Sequence, residues 1–202
     1  MASDTGRRKA LAILAGGLVL GVGAAVTLAA WNDSEFATGT FAAGAFNLEG
    51  STTSATAGYA DHEAAPGAPL SFTLPLAENL SPEDVVYAPF WVRLDETTTT
   101  PATLVASTAE ATDAVGANSA QLAYEVYAID AAATCDATAA TGALVASGTT
   151  LDVITVGAGT DLAAGDGVAG TPVQLCFEVT AGAGLEEGGE TTATWSFVAT
   201  SE

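Results

Sequence analysis

The stretch PVQLCFEV, residues 172–179, decides the fold class because large apolar side chains recur at every second position. Successive side chains of a β-strand point to opposite faces, so Val173, Leu175, Phe177 and Val179 would share one face. Alternation of this kind over a short segment predicts a half-buried β-strand.

Similar short segments recur along the chain, and clusters of Gly, Pro, Asp and Thr separate them. The further predicted strands are APLSFTLPL (68–76), VVYAPFWVRL (85–94), QLAYEVYAI (121–129), ALVAS (143–147), TLDVITV (150–156) and ATWSFVA (193–199). With an N-terminal segment added, about eight or nine strands result. They predict an all-β fold, an antiparallel two-sheet sandwich of jelly-roll type with one or two short helical turns.

Two regions between the predicted strands favour other structures. In ENLSPEDV (78–85), Ser81 can cap a helical turn and Pro82 suits its first position. The Thr-rich region 97–120 predicts a loop that contains a helical piece.

The N-terminus has the pattern of an export signal. The basic stretch GRRK (6–9) precedes an apolar run over residues 11–30 that ends in small residues. This arrangement predicts a secretory signal peptide, residues 1–30, cleaved between Ala30 and Trp31. The run is also long enough to span a bilayer, so an uncleaved anchor formed by residues 10–30 is the alternative.

The two cysteines, Cys135 and Cys176, fit an exported protein. In an oxidising compartment such a pair predicts a disulfide. Cys176 has the parity of Gln174 and Glu178, so its side chain should leave the face that carries Leu175. We therefore expect the bridge to pin an outer loop to a strand, and not to cross the core as in immunoglobulin domains.

The charge of the chain restricts its partners. It holds 24 acidic and four basic residues, a formal net charge of −20, and only Arg93 is basic after Lys9. A surface this acidic excludes nucleic acid and anionic lipid as partners, since phosphate contacts need Lys and Arg. It favours solubility outside the cell or, alternatively, a weakly bound divalent cation, for which Asp161 and Asp166 come nearest to a ligand pattern.

Residues for catalysis are sparse. His62 is the single histidine, so the paired imidazoles of an H-E-x-x-H zinc site are absent, and no G-x-S-x-G motif occurs. We therefore expect no enzyme activity, no catalytic or metal-ligating residues and no cofactor. Arg93 is either the solvent-facing end of a strand or a salt-bridge anchor in a contact between acidic subunits.

The N-terminal region resembles the TasA/camelysin family of exported bacterial proteins. The resemblance covers residues 7–51 and, more weakly, 172–199. It rests on a long leader, then an aromatic with an acidic neighbour, then a segment of the form F-x-x-G-T-[FL]-x-x-G-x-[FL]-x-L. The matching residues are Trp31, Asp33, Phe36, Gly39, Thr40, Phe41, Gly44, Phe46 and Leu48.

This resemblance implies a secreted subunit of a biofilm-matrix fibre that is processed by a SipW-type signal peptidase. Subunits would join by β-strand donation, with residues 31–50 as the donor strand and residues 51–202 as the sandwich domain. The anchoring side chains would be Phe36, Phe41, Phe46 and Leu48, although the strand could equally pair within its own chain. Camelysin-like members imply a metalloprotease as the alternative, for which the chain offers no zinc-ligand set. A monomeric surface protein with an uncleaved anchor is the third reading.

Overall fold

The computed structural model describes residues 4–26, 35–40, 44–73 and 79–202, which form one α-helix, nine β-strands and two short 3-10 turns. The elements are α1 (Asp4–Val26), β1 (Leu48–Ser51), β2 (Val85–Leu94), β3 (Ala102–Val115), β4 (Leu122–Asp130), β5 (Ala143–Gly148), β6 (Thr155–Val156), β7 (Thr160–Leu162), β8 (Val173–Ala181) and β9 (Glu190–Ser201). The 3-10 turns cover Asn118–Gln121 and Ala139–Thr141.

The chain divides into two compact units, Met1–Ala42 and Ala43–Glu202. In the first unit, α1 carries the basic cluster of the leader and begins with Asp4 near its positive end, where a carboxylate is favourable. Among the described residues, no helix has the length and apolarity that a membrane crossing requires. The predicted cleavage pair, Ala30 and Trp31, lies outside the described residues.

The second unit is an antiparallel two-sheet sandwich, which confirms the predicted fold class. Its larger sheet has six strands in the order β1-β2-β8-β4-β5-β6, and its smaller sheet has the order β7-β3-β9. All strand pairs are antiparallel. The predicted segment 85–94 coincides with β2, while 121–129, 172–179 and 193–199 correspond closely to β4, β8 and β9.

Strand β8 lies at the centre of the large sheet because it pairs with β2 on one side and with β4 on the other. Phe177 is opposite Ala88 in one neighbour and Val126 in the other, and all three are buried. The alternation visible in the sequence therefore fills the space between the two sheets. Leu104 and Leu162 complete this core from the small sheet.

The disulfide joins Cys135 to Cys176, as predicted from their parity. Cys176 lies on the outer face of the large sheet, in a small apolar cluster with Tyr127 and Ala139 that is separate from the main core. The loop that carries Cys135 covers this face, so Cys176 is completely buried although it does not point into the main core.

The prediction for residues 97–120 is wrong over most of its length, since β3 occupies Ala102–Val115 and is the longest strand. Its buried side chains are mostly alanines, which give a weak hydrophobic signal. In addition, a β-bulge between Ala106 and Thr108 breaks the period of two. The helical piece exists only as the 3-10 turn that follows β3.

Three smaller predictions also need correction. Residues 68–73 form no regular strand, although the Thr73 amide donates to the Tyr87 carbonyl oxygen at 2.9 Å. The described residues of 78–85 form a tight turn and not a helical one. There the Asp84 carboxylate accepts a hydrogen bond from the Ser81 amide at 2.7 Å. The Asp84 side chain therefore caps the Ser81 backbone, which is the reverse of the predicted role of Ser81. Of 150–156, only Thr155–Val156 is strand.

Candidate assembly site

Strand β9 forms one edge of the small sheet. Within the described part of the chain it pairs along its length with β3, and no other described strand pairs with its outer side. From Thr191 to Ser201 it contains no charged residue and no proline. Natural edge strands are usually protected from pairing with other chains by lysines, prolines or inward-pointing charges. The β9 edge has none of these protections, so it can act as a template for a further strand.

A groove of about 940 Å³ runs beside this edge, between β9 and the β1–β2 end of the large sheet. Aromatic rings form its apolar lining: Phe177 packs against Trp195 and Phe197, with ring centroids 5.1 Å and 5.9 Å apart. Phe90 and Phe72 line the groove from the large sheet and from the segment before it. The groove is thus the open side of the sandwich, where core aromatics remain partly accessible.

The indole of Trp195 has an unusual environment. Its Nε1 atom is buried and has no hydrogen-bond partner among the described residues. The ring lies 5.4 Å from the Tyr124 ring in an edge-to-face arrangement, and burial raises the pKa of Tyr124. A buried donor without a partner is costly, so a hydrogen-bond acceptor supplied to this indole would be stabilising.

The predicted anchoring side chains fall into different environments. Phe36 is 93% exposed, and Phe46, at 42%, lines the groove. Leu48 belongs to β1, opposite Leu94, and packs against the core of its own domain. Phe41 lies outside the described residues. Only Leu48 of the three described anchors is therefore part of a regular strand.

Arg93 and Glu49 form an ion pair that joins β1 to β2. The Arg93 Nε atom lies 2.6 Å from the Glu49 Oε1 atom, and the guanidinium carbon lies 3.7 Å from the centre of the Tyr59 ring. The two charged side chains are only 23% and 16% exposed. Sequence reasoning left Arg93 between a solvent-facing position and a salt bridge with another subunit, and the structure places its salt bridge within the chain.

Asn47 is held by a second group of polar contacts just before β1. Its amide donates to the Thr98 Oγ1 atom at 2.8 Å, and its carbonyl oxygen accepts from the Asp95 amide at 3.1 Å. Its side-chain amide donates to Asp61 at 2.8 Å. Hydrogen bonds from Thr97 and Thr98 lower the pKa of Asp95 although burial opposes this shift.

The carboxylates predicted as a weak cation site do not converge. Asp161 lies in β7, and both it and Asp166 are exposed. Among the described residues, no group of three or more His, Cys, Asp or Glu side chains is arranged to hold a metal ion. His62 is exposed and lies at the rim of the groove, 6.5 Å from the Phe90 ring.

Two carboxylates face each other on the outer surface of the large sheet. Glu125 in β4 is directly opposite Glu178 in β8. Burial and the nearby Glu125 charge raise the pKa of Glu178. Burial and the hydrogen bond that its hydroxyl donates to Glu125, at 2.8 Å, raise the pKa of Tyr127 to about 12. The close carboxylates make this surface sensitive to pH.

No protein-family model matches this chain, and no curated protein matches it. What the structure defines is the class of protein: an all-β, two-sheet antiparallel sandwich with one disulfide. The resemblance to the TasA/camelysin family stays a prediction.

Proposed function

We propose that this protein is a secreted structural subunit of an extracellular biofilm-matrix fibre, and that copies join by β-strand donation. The N-terminal segment of one copy would add a strand to the next. The observation that carries the proposal is the long, uncharged and unprotected edge of β9 beside a groove lined with aromatic rings.

The lengths of the two segments agree. Strand β9 has 12 residues, about 40 Å at 3.3 Å per residue. Residues 35–46 provide a segment of the same number of residues, which contains the exposed Phe36 and also Phe41 and Phe46. In β-strand addition, main-chain hydrogen bonds supply affinity and alternate side chains fill pockets. The Gly and Ala residues between the Phe residues allow the close packing that a narrow groove requires.

Charge favours contact at this edge over contact elsewhere. Without residues 1–30, each copy holds 23 acidic residues and one arginine, a net charge of −22, so two copies repel one another. At physiological salt this repulsion is screened beyond about 8 Å. The uncharged residues Thr191–Ser201 offer a region where a neighbour can approach with little electrostatic cost. Assembly should therefore be favoured by lower pH, added salt or divalent ions, and weakened at neutral pH in low salt with chelator.

The export signal and the disulfide support an extracellular role. The leader has the composition of a signal peptide, and the Cys135–Cys176 bridge is the form expected in an oxidising compartment. Cleavage by a SipW-type signal peptidase before Trp31 would leave the proposed donor segment at the N-terminus of the exported chain.

Electron microscopy and sedimentation of the exported protein test this proposal. The informative variant replaces Phe36, Phe41 and Phe46 with Ser, which removes the anchors but keeps the segment length. The matched control replaces Ala37, Ala42 and Ala45 with Ser in the same segment. We expect fibres from the native chain and the control, and dispersed protein from the Phe variant. A native chain that stays monomeric at every pH and salt concentration tried would refute the proposal.

A further inference from the structure

Continuous hydrogen bonding between the N-terminal region and its own domain starts at Asn47. From Leu48 onward, β1 pairs residue by residue with β2. On its other side, the Gly50 amide and carbonyl groups exchange two hydrogen bonds with Ala60, both 3.0 Å long. Strand β1 is therefore bonded on both sides within its own chain.

Side chains strengthen these backbone ties. Ser51 is fully buried, and its hydroxyl donates to the Ala57 carbonyl oxygen at 2.6 Å. The backbone of Gly50 lies so close to the Phe90 ring that a Cβ atom would overlap it. Glycine allows this close approach, because a larger residue would displace the Phe90 ring or push β1 away from β2.

The Arg93–Glu49–Tyr59 contact is the only one in this set that uses a cation. Arg93 is the single basic residue in the sequence after Lys9, so no second cation of the sandwich can replace it. Its guanidinium meets a carboxylate on one side and an aromatic face on the other. Because the guanidinium contacts both Glu49 and the Tyr59 ring, it holds β1 beside β2 more firmly than a single hydrogen bond would.

Upstream of Asn47 the described chain is tied much less. Ala45 makes an isolated parallel bridge to Thr98, and Gly44, Ala45 and Phe46 are exposed. The residues described further upstream, 35–40, are all exposed and form no regular element. Large apolar side chains exposed in this way are available to another chain.

We propose that β1 is a fixed pivot that stays paired with β2 of its own copy during assembly, and that Arg93 is the positioning residue that holds it there. Strand exchange then involves residues up to Phe46, and Leu48 never leaves its own core. This inference rests on the proposed function, since it defines where the donated segment ends.

Fibres of mixed isotopic composition test the pivot directly. Fibres are assembled from equal amounts of exported protein labelled only with ¹⁵N and only with ¹³C, and solid-state NMR detects contacts between copies. We expect no ¹⁵N–¹³C contacts between Gly50 and Val92 in mixed fibres, although fibres of doubly labelled protein show them. Contacts between these residues in mixed fibres would overturn the pivot and leave strand donation intact. A failure of the native protein to form fibres would instead overturn the proposed function and the pivot with it.

The role of Arg93 has its own test in the monomer, by amide hydrogen exchange. Arg93→Gln should speed exchange at the β1 amides by about tenfold more than at Val126 and Phe177, because exchange in these central strands reports only the loss of global stability. Arg93→Lys should recover most of the protection, since it keeps the charge. Equal acceleration throughout the sandwich would show that Arg93 only contributes to global stability and would overturn its positioning role.

An engineered disulfide between β1 and β2 provides a further test of the pivot that does not depend on the ion pair. The double variant Glu49→Cys, Arg93→Cys replaces the salt bridge with a disulfide between facing residues of β1 and β2. The critical concentration for assembly of the oxidised variant should lie within about twofold of the native value. This difference is well below the tenfold change that corresponds to about 1.4 kcal/mol. Loss of assembly that thiol reduction reverses, with native protein given the same reductant as control, would overturn the pivot.

Discussion

Strands β1 and β9 border the same groove from the two sheets, and their edges differ in protection. The short β1 is bonded on both sides and carries a half-buried ion pair. Among the described strands, the 12-residue β9 is bonded on one side only, and it carries no charge from Thr191 to Ser201. The contrast shows how one sandwich can keep one edge closed and present another for assembly. Arg93, the one Lys or Arg residue of the sandwich, lies at the closed edge.

The largest effect on assembly is expected from a charge that points into the groove from the open edge. Ala199→Lys places an ammonium group on the inward face of β9, the device by which natural edges avoid pairing. The critical concentration for assembly should rise by at least about tenfold, or 1.4 kcal/mol per interface. Sedimentation across a concentration series measures it. Thr134→Lys, in the exposed disulfide loop, adds the same charge away from the groove and serves as the control. An equal rise in critical concentration in both variants would show that net charge alone causes the effect.

The disulfide should affect stability without changing the contrast between the edges. Removing it with Cys135→Ser and Cys176→Ser releases a loop with a sequence separation of 41 residues. The free energy of unfolding should fall by about 4 kcal/mol, as chain-entropy arguments predict for loops of this size. Urea denaturation measures the loss. At temperatures where the variant remains folded, the critical concentration should match that of the native chain, since the bridge lies on the outer face of the large sheet.

At the closed edge, Arg93→Gln leaves the Glu49 carboxylate mostly buried and without its cation. Breaking a buried pair by removing one partner is costly, and the partial exposure here reduces the loss to about 2 kcal/mol. Urea denaturation should show this loss. The double variant with Glu49→Gln should recover part of it, because no unpaired charge then remains. A double variant less stable than Arg93→Gln would contradict the assignment.

The smallest effect concerns the Glu125–Glu178 pair, far from both edges. The raised pKa of Glu178 means that the folded state binds its proton more tightly than the unfolded state, whose pKa is near 4.5. This contribution to stability is complete below that value and is lost as pH rises through the folded pKa. Glu178→Gln should therefore reduce the pH dependence of stability above pH 4.5 and raise stability slightly at neutral pH. Thermal unfolding across pH tests this, with Glu187→Gln at an exposed carboxylate as the control.

Alternation of large inward residues predicted β2, β4, β8 and β9, although Leu70 and Phe72 alternate equally well and lie in no regular strand. Phe177 in β8 and Trp195 in β9 identified their strands, and the parity of Cys176 predicted which face carries the disulfide. In β3, the inward residues Ala102, Ala106 and Ala109 gave no comparable signal, and the bulge shifted their phase. Small side chains can fill the core there because the aromatic residues of β8 and β9 occupy the space they leave.

The candidate assembly site could be predicted only in part. The resemblance implies a donor strand over residues 31–50, but nothing local in the sequence separates Leu48, which lies in a closed strand, from Phe46, which is exposed. That boundary depends on Thr98 and Arg93, which are distant in sequence. The sequence also does not indicate that β9 lies at an open edge, since this depends on the order of strands in the sheet. The absence of charge from Thr191 to Ser201 was the one signal available.

Photo-crosslinking from position 36 tests the central claim, that the exposed segment of one copy pairs with β9 of another. A benzophenone amino acid replaces Phe36, which is already 93% exposed, and fibres of mixed ¹⁴N and ¹⁵N protein are irradiated. Mass spectrometry then identifies the crosslinked peptides. The account predicts adducts between copies that fall within residues 190–201 or on the groove wall at 62–72. Adducts confined to a single copy, or to the opposite edge at β6, would contradict it.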